Sequence, residues 1–360
     1  MNTFKQIISY ISLLAASAIF LSACAQPYTP PDYSAYYWPK EPDRKRLQLL
    51  TMIRHDLDIR PMTQSESLFG GQTYFRFKKP HSVVADNDGN IYVTDSYLGT
   101  VFVLNIEKQS IRRFIKPGGW KQPIGLGIDN VNSLLAVTDS NSVIVTNYRT
   151  GQTVLSLGQK EGFITPHGLA MDPKNRYLYI GDTKASRIYK YDYSGNRLAT
   201  IAVKGSGPTG VYYPGQIAVD KQGRLFVVDT MNWKIKIYGT DGKFIREFGE
   251  HGSVIGQFNR PKGISVSKDG IIAVTDNDLG IFMLMSDTGQ VYTFMGGVGS
   301  SPARFAVPMG IYIDDSDKIY VVDQVNRRLQ IFQMYTDKYY ATPPPAAPAA
   351  PQPAAGGQAQ

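Results

Sequence analysis

The chain of 360 residues has one cysteine, four histidines and three tryptophans. The lone cysteine, Cys24, excludes a disulfide within the chain and leaves no thiolate for catalysis or metal binding in the folded part. The longest mostly apolar run, Ile7 to Phe20, is too short and too close to the N-terminus for a stable membrane span. No phosphate-binding loop, Ser-His-Asp order or metalloprotease helix motif is present. Acidic residues are the minority, 30 against 38 basic. Residues 1–23 carry only Lys5, so their removal leaves 37 basic against 30 acidic and a charge of +7. That excess favours anionic partners such as phosphates, acidic glycans or a lipid surface.

What is present is a repeat. From Tyr213 to Gly252 four short apolar runs alternate with period two, separated by the turns Pro214-Gly215, Lys221-Gln222-Gly223 and Asp241-Gly242. The opening proline recurs at Pro80, Pro123, Pro166, Pro214, Pro261 and Pro308. An aspartate closing the second run recurs at Asp95, Asp139, Asp182, Asp229, Asp276 and Asp323. Both series advance by 43 to 48 residues, giving six units of four antiparallel strands. One such sheet cannot bury both faces alone, so neighbours must cover each other, as in an all-β, six-bladed β-propeller. The aspartates, with Asn232 and Asn326 three residues on, suit turns in which a carboxylate accepts backbone N–H bonds, an architectural role.

Four segments follow. Residues 1–23 read as an export signal ending in Leu21-Ser22-Ala23-Cys24. That ending resembles the bacterial lipoprotein cleavage box, which implies lipid, such as palmitate, on Cys24. With Ala25 next, the resemblance implies passage to an outer membrane, facing the periplasm or the cell surface. Residues 24–45, rich in Pro and Tyr, read as a semi-extended tether; Tyr36, Tyr37 and Trp38 would lie in lipid headgroups or dock on the domain. Residues 46–337 form the propeller. The sixth unit lacks a fourth strand after Met334, so an N-terminal strand at 46–53 is expected to complete it, with 64–69 as the alternative. Residues 338–360 are expected to be a disordered Pro/Ala-rich tail.

Strand direction locates a site. The residue after each opening proline and those after each aspartate lie on one rim of the ring. The first series is His81, Ile124, His167, Gly215, Lys262 and Met309. The second is Tyr97, Asn141, Lys184, Trp233, Asp278 and Arg327. A ligand-binding rim is therefore expected from His81, His167, Lys262, Met309, Tyr97, Lys184, Trp233 and Arg327. Two of the four histidines share one repeat slot, and imidazoles facing one channel are the usual start of a zinc or copper site.

The stretches Gly256 to Ile264, Val227 to Tyr238 and Val321 to Phe332 resemble the NHL-repeat family of six-bladed propellers, over about residues 79–337. That family spans enzymes, RNA binders and scaffolds, so the resemblance fixes fold rather than function. Export conflicts with the RNA role, and no nucleic acid is expected as partner. Pro80-His81-Ser82 and Pro166-His167-Gly168 also resemble the zinc-binding segments of the peptidyl-hydroxyglycine amidating lyase. The resemblance implies three channel histidines holding zinc. Here Lys262 stands in the third position, and a charged lysine repels the ion. Related propellers that are calcium lactonases need oxygen ligands converging on the axis. Glu107, Glu161, Glu247 and Glu250 fall on outer strands and loops. The leading expectation is a lipid-anchored envelope module that binds a protein, peptide or anionic glycan at the channel rim. The alternative is a metal-dependent lyase or hydrolase using His81 and His167.

Overall fold

A computed structural model describes residues 30–63, 66, 75–116 and 118–341. Cys24 and the signal segment lie outside them. Each repeat folds as an antiparallel meander whose first strand begins at the recurring proline, a position where the missing N–H costs no ladder bond. Blade one runs Pro80–Ala85, Ile91–Asp95, Thr100–Asn105 and Ser110–Phe114 from axis to edge. The other inner strands are Pro123–Asp129, Pro166–Asp172, Pro214–Val219, Pro261–Val266 and Pro308–Ile313. Blade three gains a short parallel strand, Gly210–Val211, at its outer edge.

Blade six closes the ring as expected. Leu47–Ile53 pairs antiparallel with Arg328–Met334, from Leu47 opposite Met334 to Ile53 opposite Leu329. The alternative at 64–69 falls almost wholly outside the described residues. Two expectations are revised. From residue 30 the 24–45 segment is not a free tether. Tyr37–Trp38 adds a further strand outside Leu47–Ile53, Tyr33 is buried, and Tyr36 and Trp38 pack on the apolar cluster there. Of the two sites open to these aromatics, the structure shows the side of the propeller. The chain also stays ordered past 338. Asp337–Ala341 is a short helix held by the Tyr340 hydroxyl on the Lys45 carbonyl (2.6 Å) and by Arg46 on Asp337 (2.6 Å).

The core is divided among the blade junctions. Six buried apolar clusters are found among the described residues, each drawing on two adjacent blades. Burial therefore requires the whole ring. The repeated aspartates do the structural work expected of them. Asp95 accepts the N–H groups of Lys78, Lys79, Tyr97 and Leu98, and Asp276 those of Asn259, Arg260, Asp278 and Leu279. Each staples the loop entering its blade to the turn leaving its second strand. Two cations are buried in this scaffolding. Lys236 sits 3.1 Å from Asp229, and Arg328 bonds Asp323 and the carbonyls of Ser300, Ser301 and Arg304. No described helix is long and apolar enough to cross a membrane.

Candidate functional site

The site begins with a local irregularity. In every inner strand the register slips just after the proline, as between Pro80 and Val83 or Pro261 and Ile264. Such a bulge re-aims a side chain, here toward the axis. The residue following is usually glycine for a steric reason. A Cβ on Gly125 would stand 1.8 Å from the His167 carbonyl oxygen, and one on Gly263 would stand 2.3 Å from that of Met309. Adjacent inner strands thus touch backbone to backbone, and the channel narrows to a waist. Thr94 and Thr275 fasten it, their hydroxyls donating to the Ile124 and Met309 carbonyls of the next blade (2.7 Å each).

The waist is lined by His81, His167, Gln216, Lys262 and Met309, with Ser82, Gly125 and Gly310 between them. Its free volume is about 10 Å³, room for roughly one water or a compact group. His81 Nδ1 and His167 Nε2 lie 3.4 Å apart, the rings nearly perpendicular at 81°. Met309 is positioned by Asn277, whose amide nitrogen reaches its sulfur at 3.3 Å. Lys262 makes no salt bridge among the described residues. Burial and the neighbouring Arg260 push its ammonium pKa down, against the pull of Asp278 and Asp276.

Both imidazoles are held neutral. Burial, with Lys262 adding, lowers His167 from 6.5 to about 4. Burial, then His167, Lys79 and Lys262, push His81 well below its ordinary value. A histidine whose folded pKa is depressed binds fewer protons folded than unfolded. Its contribution to stability is complete above the unfolded pKa near 6.5 and is lost as pH falls through about 4. The melting temperature should therefore fall as pH drops across that window. His167→Gln should flatten the dependence by on the order of 3 kcal/mol, read as the difference in unfolding free energy between pH 7 and pH 4.

Of the residues expected at the rim, the structure gathers His81, His167, Lys262 and Met309. Tyr97, Lys184 and Arg327 stand exposed on the surrounding face and do not line the waist. Trp233 serves another purpose. Its indole N–H donates to the Asn259 carbonyl at 3.0 Å and its ring packs on His251, so it anchors a loop. Gln216 was not expected. In blade four Gly215 takes the close approach, 2.7 Å from its Cβ position to the Lys262 carbonyl oxygen, and the next residue turns into the channel. Gln216 is 8% exposed and its Oε1 has no hydrogen-bond partner among the described residues. The sequence held the signal: Ser82, Gly125, Gly168, Gly263 and Gly310 follow the slot residue, all small, and the larger Gln216 breaks that series.

A zinc site is only half built. Two imidazole nitrogens on one tetrahedral zinc at about 2.0–2.1 Å lie roughly 3.3–3.4 Å apart, and this pair meets that spacing. Beyond the pair, no set of three or more His, Cys, Asp or Glu able to hold a metal exists among the described residues. Where a third anionic or neutral ligand is needed, Lys262 brings an ammonium. The donor set as it stands does not fit zinc.

The sequence profile of the SMP-30/Gluconolactonase/LRE-like region matches residues 64–250, more than half of the chain. The chain belongs to this family. Within the curated proteins it is 29% identical over 130 residues to peptidyl-glycine alpha-amidating monooxygenase A of Xenopus laevis, covering 31% of this chain and 14% of that protein. It is 30% identical over 152 residues to a probable peptidyl-alpha-hydroxyglycine alpha-amidating lyase of Caenorhabditis elegans, covering 39% and 43%. The match thus spans less than half the length of each of these relatives. Solved structures share the fold: a streptogramin B lyase (TM-score 0.54, 13% identity, 72% of this chain and 95% of that one) and a nidogen/laminin complex (0.53, 16%, 67% and 88%). Family membership and the observed ring agree on a six-bladed propeller of the NHL and gluconolactonase type, whose members include lyases and lactonases.

Proposed function

We propose that this chain is an exported, lipid-anchored propeller of the cell envelope that binds the anionic end of a protein, peptide or glycan at its channel waist. The observation that carries this reading is Lys262, an ammonium drawn into the waist with no salt-bridge partner among the described residues and flanked by two neutral imidazoles. A carboxylate or phosphate oxygen there would accept from the ammonium and from an imidazole N–H, restoring what burial takes from the charge. The face around the mouth supports a macromolecular partner. Tyr97, Ile115, Ile164, Val254, Val298 and Val325 are all exposed on loops of that face, apolar surface that such a partner would cover. The anchor is inferred from the Leu21 to Cys24 box.

Two measurements test the proposal on the full chain. Detergent-phase partitioning reads the anchor, and Cys24→Ser should move the protein to the aqueous phase. Titration with acetate and with inorganic phosphate, followed by the ring NMR signals of His81 and His167, reads the site. Saturable shifts that vanish in Lys262→Gln are expected. Shifts unchanged by that substitution would overturn the anion assignment.

A further inference from the structure

The inner strands run on past the waist and diverge into a funnel of about 470 Å³ at the opposite mouth. That size lies within the range of small-molecule sites, roughly 300–1,000 Å³. It is separate from the rim site, and only Gln216 lines both. Its wall is apolar in part: Ile128, Ala218, Val219 and Val266 line it half-buried, while Leu126, Leu169, Ile217, Ile264 and Ile311 behind them are taken up by the blade junctions.

The charges at its lip balance in number, three acids against three bases, but not in pairing. Asp172 is engaged by the Asn175 backbone and side chain, and Asp220 by the N–H groups of Gln222 and Arg224 and by the Arg224 guanidinium. Lys268 pairs with Asp317. Lys174 and Lys221, on the corresponding turns of the adjacent blades three and four, are exposed lining residues with no ion pair among the described residues. Asp315 of blade six is the acid left over. At the depth of the funnel sits the unsatisfied Oε1 of Gln216, a buried polar atom of the kind that native structures rarely leave without a partner.

We propose that this funnel is a second binding site, for small amphipathic carboxylates: the carboxylate at Lys174 and Lys221, the apolar body against Ile128, Ala218, Val219 and Val266, and a hydrogen-bonding group at the inner end to Gln216. The apolar wall supplies affinity in proportion to the area it covers, and the two lysines fix which end faces water.

Isothermal titration of the full chain with octanoate, 8-hydroxyoctanoate and acetate tests it. Octanoate should show one tight saturable site in the funnel beyond any weak carboxylate binding at the waist; acetate, which leaves the wall uncovered, should bind the funnel at least about 100-fold more weakly. The hydroxylated acid should exceed octanoate, and Gln216→Leu should erase that advantage while leaving octanoate bound. Lys174→Gln with Lys221→Gln, both on exposed turns, should weaken octanoate at least tenfold with the melting temperature unchanged. Lys262→Gln should leave the tight octanoate site as it is, which separates this site from the waist. No saturable heat, loss of octanoate binding in Lys262→Gln, or indifference to the double lysine substitution would each overturn the assignment.

Discussion

Leu49→Asp is expected to open the ring, while Leu50→Asp next to it leaves the ring closed. Leu49 is 1% exposed, opposite Phe332 across the seam that joins the N-terminal strand to blade six, and it packs in the cluster between blades five and six. Leu50 falls where the register slips between Leu49 and Thr51, and it is 40% exposed. At position 49 the substitution removes a buried side chain and puts an unpaired carboxylate in its place. A loss on the order of 4–5 kcal/mol follows, since the truncation alone costs about 2–5 and the charge has no partner there. At position 50 the change should stay within about 0.5 kcal/mol, the scale of ordinary surface substitutions. The strand Arg328–Met334 would also become a bare sheet edge in the Leu49 variant, so self-association should accompany the loss. Denaturant unfolding and sedimentation read both effects. Equal destabilisation by the two substitutions would mean that the seam does not hold the ring.

The seam was legible because the sequence records an absence. Six prolines and six aspartates count six blades, the last unit stops one strand short at Met334, and Leu47–Ile53 is a β-rich run with no repeat of its own. Closure follows from the requirement that a propeller leave no open edge. The sequence left docking of Tyr36 to Trp38 open beside a place in lipid headgroups, and where they dock was not legible. That segment has no periodicity, and the surface it meets is assembled from Leu47–Ile53 and from residues some 270 positions away. Lys236 and Arg328 were equally hidden. Period-two alternation marks their positions as inward or outward by strand, but the carbonyls that satisfy them come from the irregular loops at 207–210 and 300–304. At the waist, the slot after the proline placed four of its five principal side chains. It missed Gln216 because blade four spends its slot on Gly215, and the bulge moves the channel-facing position by one residue. A one-residue shift reverses the face a strand presents, so a repeat count alone cannot follow it.

Lys262→His should convert the waist from a site without zinc into one holding about one zinc per chain. The spacing needed is already in place: His81 Nδ1 and His167 Nε2 stand 3.4 Å apart, as two ligands of one tetrahedral ion would. The substitution changes two quantities together. It removes an ammonium whose field both lowers the imidazole pKa values and repels a cation, and it supplies a third nitrogen from blade five. Even partners outside the ligand shell change metal affinity about 10- to 100-fold, so replacing a repelling group by a ligand should raise zinc affinity by more than about 100-fold. Lys262→Gln separates the two contributions, since it takes away the charge and adds no imidazole; its zinc content should remain substoichiometric. His81→Ala in the Lys262→His background should remove the ion again. Elemental analysis after exhaustive dialysis measures all of them. Unit zinc in the unsubstituted chain would show that Lys262 tolerates the metal, and the anion reading of the waist would then give way to the lyase-type alternative. Zinc absent from Lys262→His would show instead that the blade-five side chain does not reach the point where the two imidazoles converge.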